Sequence, residues 1–121
     1  MNYPEDRKGT IAVVHAQPIA LTCRISPAGF SGERIVEVVQ ANNEILRGLA
    51  PRDYCWNANR KPLAVDEPHN EEIPGYVAAR LLERLQPDKA VVTVPDGAVF
   101  VVATSIISER PPVEIAPHVP V

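Results

Sequence analysis

From Lys89 to Ile107 the chain reads KAVVTVPDGAVFVVATSII, two runs rich in β-branched residues on either side of Pro95-Asp96-Gly97. Proline presets φ at the first turn position and glycine accepts φ > 0, so the segment predicts a β-hairpin. Neither run alternates with polar residues. Ala98, Phe100, Val102, Thr104 and Ile106 fall on one face of the second strand, and Val99, Val101, Ala103, Ser105 and Ile107 on the other. A strand apolar on both faces asks for cover on both.

Near the other end, residues 10–16 (TIAVVHA) and 18–26 (PIALTCRIS) predict two short strands with a turn near Gln17. The second alternates: Ile19, Leu21, Cys23 and Ile25 point one way, Ala20, Thr22, Arg24 and Ser26 the other, as for a strand with one buried face. Pro27, Gly29 and Gly32 then break the pattern.

Between these ends the spacing predicts two helices. From Glu33 to Leu49, Ile35, Val38, Val39, Ile45, Leu46 and Leu49 recur at helical intervals, with Ser31 as N-cap and Gly48 and Pro51 as stop signals. The competing pattern is a hairpin, IVEVVQ-ANN-EILRGL, because Ile35-Val36 and Val38-Val39 favour strand and Asn42-Asn43 suits a turn. Residues 51–70 lack periodicity and form a long loop. From Ile73 to Leu85, Ile73, Val77, Leu81 and Leu85 make an apolar stripe, Pro74 suits a first helical position, Pro87 ends the run, and Arg80, Glu83 and Arg84 form the wet face.

The expected architecture is therefore a single α+β domain over residues 1–121. Its order is ββ-α-loop-α-ββ, an antiparallel sheet of about four strands with two helices packed on one face. Residues 1–9 form a flexible N-terminus. Residues 109–121 form an extended proline-rich arm whose Val113, Ile115, Val119 and Val121 are too apolar for a solvated tail.

Composition narrows the function classes. A length of 121 residues suits one domain with a real core, and 45% hydrophobic with 22% charged residues is ordinary for a soluble globular protein. A formal charge of −3 argues against nucleic acid, whose binding gains from a basic face. No apolar leader opens the chain and no apolar run reaches bilayer length, so a cytoplasmic protein without membrane contact is expected. The two cysteines, Cys23 and Cys55, form no CxxC pair. In a reducing compartment they are expected to be free, Cys23 as a small core residue.

The segment 52–61 concentrates the residues best suited to a ligand. Tyr54 and the single Trp, Trp56, could stack on a flat ring while Arg52, Arg60 or Lys61 meets an anionic group and Asn57 or Asn59 reads its edge. The structural alternative is that Tyr54 and Trp56 plug the rim of the core and the cations face water. Cys55 with His69 is a weak pairing for a nucleophile. The acidic loop Asp66-Glu67-Pro68-His69-Asn70-Glu71-Glu72 lacks metal-ligand spacing, and Glu71 and Glu72 suit the N-terminal end of the expected second helix. No GxGxxG, Walker loop, GxSxG or paired CxxC is present, and no cofactor or metal is expected.

Two functions follow. The first is a non-enzymatic binding module acting through protein–protein contacts and self-association as a two-fold dimer, in a regulatory, adaptor or inhibitor role. A dimer would cover the apolar face that two short helices leave open on the C-terminal hairpin. The second is a small-molecule-binding protein or minor enzyme with its site at Arg52, Tyr54, Trp56, Asn57 and Arg60, beside the acidic loop 66–72. A pocket or a flat surface at Tyr54, Trp56 and Arg60 distinguishes them.

Overall fold

The computed structural model describes residues 16–30 and 32–111. The expected strand over 10–16 lies outside these residues but for Ala16, as does the proline-rich arm beyond Pro111.

Among the described residues eight antiparallel strands form one curled sheet: β1 (Gln17–Pro27), β2 (Glu33–Val39), β3 (Ile45–Pro51), β4 (Cys55–Asn57), β5 (Ile73–Gln86), β6 (Lys89–Thr93), β7 (Val99–Ala103) and β8 (Ile107–Ser108). Short 3-10 turns at Arg52–Tyr54 and Thr104–Ile106 precede β4 and β8. The order is β3-β2-β1-β5-β6-β7, with β4 added to β5 and β8 added to β1.

The α+β expectation is thus overturned, because both predicted helices are strands. At 33–49 the competing hairpin forms. Arg34, Val36 and Val38 point inward and Ile35, Glu37 and Val39 outward, the period of two that β-branched pairs favour. The turn closes through Gln40 N–H to the Glu44 carbonyl at 2.8 Å, with Asn43 at φ 72°, a left-handed conformation that asparagine tolerates.

At 73–86 the stripe Ile73, Val77, Leu81, Leu85 misleads because a spacing of four is also a multiple of two. Gly75, Val77, Ala79 and Leu81 all face the core. Local helix propensity in Ala78-Ala79-Arg80-Leu81-Leu82-Glu83 yields to position, since β5 is the central strand and pairs with β1 from Ile73 to Leu81. A register shift between Leu81 and Glu83 ends the alternation and leaves Leu85 exposed.

The alternation in β1 and the turn at Pro95-Asp96-Gly97 take the predicted form, but Gln17, expected in a turn, begins β1, and the second hairpin strand, expected to run to Ile107, stops at Ala103 before the 3-10 turn that leads to β8. Ile19, Leu21, Cys23 and Ile25 are buried. β6 and β7 pair from Lys89↔Ala103 to Thr93↔Val99, and Gly97 turns at φ 94°. Phe100 and Val102 enter the core, while Val99 is exposed and Val101 half-buried. Among the described residues no helix covers the outer face.

The core lies inside the curl, where Leu21, Ile25, Val38, Val77, Val92 and Val102 are fully buried. The two ends of the sheet approach one another. Ala41 N–H, in the β2–β3 turn, donates to the Val101 carbonyl at 2.8 Å. The Asp96 carboxylate, in the β6–β7 turn, fills the space a side chain at Gly48 of β3 would need.

Candidate functional site

The β2–β3 hairpin carries the largest concentration of exposed apolar side chains on regular structure. β3 ends the strand order, so its outer edge is unpaired among the described residues. Leu46, Gly48 and Ala50 of β3 turn inward, which leaves Ile45, Arg47 and Leu49 on the outside. Register brings these opposite the outward residues of β2 as three cross-strand pairs: Val39↔Ile45, Glu37↔Arg47 and Ile35↔Leu49.

The face therefore reads apolar, ionic, apolar. Val39 is 49% exposed, Ile45 60% and Leu49 47%. Glu37 and Arg47 form an ion pair of 3.4 Å at the centre. Ile35, Arg47, Gly48 and Leu49 line a shallow hollow of about 270 Å³. Exposed apolar pairs on a sheet face with an open edge are a docking surface or a liability. The helical pattern had hidden them, since it placed Ile35, Val39, Ile45 and Leu49 together on a buried stripe. The Asn42-Asn43 signal and hairpin register were the signs that could have exposed them.

A second apolar spot, Phe30 at 73% and Val65 at 62% exposed, sits on loops bound together by Arg34. That guanidinium is 3% exposed and donates to the carbonyls of Glu33 (2.7 Å), Val65 (2.7 Å) and Glu67 (2.8 Å). It fixes the 64–68 segment against β2.

The residues singled out at 52–61 are engaged as follows. Trp56 is buried and its backbone forms an isolated bridge with Pro62. Asn57 holds its own turn: Oδ1 accepts from Asn59 and Lys61 N–H, and Nδ2 donates to Glu67 Oε2 at 3.2 Å. Arg52 Nη1 donates to the Leu63 carbonyl at 3.0 Å. Arg60 lies 4.9 Å over the Tyr76 ring and donates to Ser108 Oγ and the Glu109 carbonyl. Tyr54 lines a cleft together with Arg80 and Arg110 from elsewhere in the chain.

Cys55 is buried, and its thiol donates to the Pro51 carbonyl at 3.6 Å. Burial pushes the thiol up to about 12, outweighing the lowering effect of Arg34. At neutral pH it is protonated, and His69 lies on an exposed loop. Cys23 is raised further, by burial and by Cys55. The two thiols are free. Cys23 pairs with Gly75 and Cys55 with Val77, on opposite sides of β5, so two strand spacings and a two-residue offset separate their backbones, beyond disulfide reach. Glu72 ion-pairs with Arg24 at 3.5 Å instead of capping a helix. Among the described residues no three His, Cys, Asp or Glu side chains converge as metal ligands would, and no helix is long and apolar enough to cross a membrane.

Comparison with protein-family models, with curated proteins and with solved structures finds no match to this chain.

Proposed function

We propose that the protein is a non-enzymatic binding module that works through protein contacts, and that its β2–β3 face is covered by a second copy of the chain. The observation that carries this is the symmetry of the exposed pairs. Val39/Ile45 and Ile35/Leu49 flank Glu37/Arg47 on one face. A two-fold axis through the central pair would lay the apolar groups of one copy on those of the other and Glu37 on the opposing Arg47. Such self-complementarity is what an isologous interface requires.

Sedimentation or light scattering at tens of micromolar tests it. The parent is expected to be a dimer. The variant Ile45→Lys/Leu49→Lys is expected to be a folded monomer, because both side chains face outward. Each substitution counts twice across a two-fold. At about 1 kcal/mol for each half-exposed aliphatic group, four lost contacts weaken association about a thousandfold. A monomeric parent, or a variant that remains dimeric, overturns the proposal.

A further inference from the structure

β5 is paired with β1 along one edge, so β4 and β6 share the other. β4 takes Gly75 to Val77 and β6 begins at Arg80. Ala78 and Ala79 pair with neither, and the gap opens into a cleft of about 350 Å³. Tyr54, from the turn before β4, forms one wall, and Thr93, Val94 and Pro95, at the end of β6, form the other. Arg80 and Arg110 complete the lining.

The charge in this cleft is one-sided. Among the described residues no acidic side chain lines it and neither arginine has a carboxylate partner. Arg110 donates to neutral groups, the Ala79 carbonyl at 2.7 Å and the Ile19 carbonyl at 3.3 Å, which fix its guanidinium over β1 and β5. Burial pushes Arg110 below its ordinary value and the nearby Arg80 adds to the shift, while Tyr54 opposes it. Arg80, exposed, and Arg110, fixed by its carbonyl partners, bring two like charges to one small cleft, and an oxyanion between them would relieve their repulsion with charge-assisted hydrogen bonds.

We propose that the cleft binds a small organic oxyanion, its phosphate or carboxylate oxygens on Arg80 and Arg110 and a flat apolar body between Tyr54 and Pro95. The volume lies at the lower end of the range for small-molecule sites. The site is independent of the β2–β3 face, from which β1 separates it in the sheet.

The test is NMR titration of the full chain with phenyl phosphate, benzoate, inorganic phosphate and neutral benzyl alcohol. Phenyl phosphate, benzoate or both are expected to bind saturably, which tells the two oxyanions apart, with shifts centred on Tyr54, Ala78 and Thr93. Inorganic phosphate should bind more weakly and benzyl alcohol not at all. Arg80→Gln is expected to weaken binding about tenfold or more at an unchanged melting temperature. Arg110→Lys keeps the charge while losing the guanidinium fork and should also weaken it. The proposal is overturned if neither aromatic anion saturates, if the shifts centre elsewhere, or if Arg80→Gln binds as tightly as the parent.

Discussion

The carbonyl oxygen of Trp56 occupies the space that a side chain on Gly75 would need, because β4 crosses this point of β5 without clearance. A Cβ at residue 75 would also stand 2.6 Å from Ile25 Cδ1. Backbone cannot move aside as a flexible side chain can. Gly75→Ala is therefore expected to cost about 1–3 kcal/mol by overpacking, read as a lower urea midpoint. An unchanged midpoint would mean that β4 does not lie against β5.

Phe100 and Val101 are neighbours on β7 with opposite fates, one in the core and the other on the half-covered outer face. Phe100→Asp should unfold the chain, since an unpaired buried charge costs several kcal/mol against a total of about 5–15. Val101→Asp should lower the melting temperature only modestly. Equal losses in the two variants would contradict the placement of the sheet's inner face.

Arg34 should resist its nearest substitution. Lysine cannot present a planar fork to the Glu33, Val65 and Glu67 carbonyls, so Arg34→Lys is expected to cost about 1–3 kcal/mol. Hydrogen exchange should accelerate over residues 64–68. Unchanged exchange there would show that the segment is held by other contacts.

The buried thiols make stability fall in alkali. Cys55 is raised from 9.0 to about 12 and Cys23 moves the same way. Above pH 9 the unfolded chain loses these protons while the folded protein keeps them. Unfolding is thus favoured progressively between pH 9 and 12, by up to about 1.4 kcal/mol per pH unit for each thiol. Below pH 9 the stabilisation is fully present. Urea midpoints at pH 8 and 10.5 should show a smaller alkaline drop in Cys23→Ala/Cys55→Ala than in the parent. Equal drops would assign the loss to other groups.

What could be seen in the sequence was whatever a single period determines. The alternation at Ile19–Ile25 and the turn at Pro95-Asp96-Gly97 each admit one interpretation, and both elements formed. The stripe from Ile73 to Leu85 admits two, and only pairing with β1, β4 and β6 decides between them. Ile35 to Leu49 was ambiguous for the same reason, with the hairpin turn at Asn42-Asn43 as the deciding local feature. Tyr54 stood out as an aromatic among cations. Arg80 and Arg110 did not, because the cleft they share with Tyr54 is made by strand order rather than by proximity along the chain.

The pairing of Glu37 with Arg47 gives the most direct measurement of self-association through the β2–β3 face. Glu37→Arg leaves two cations at the centre of that face and Arg47→Glu leaves two anions, so each variant alone opposes its own copy across the two-fold. Mixed in equal amounts, they restore opposite charges at both crossings. Light scattering should find each variant monomeric and the mixture dimeric. Two variants that each dimerise as the parent does, or a mixture that stays monomeric while the parent is a dimer, would contradict a second copy on this face.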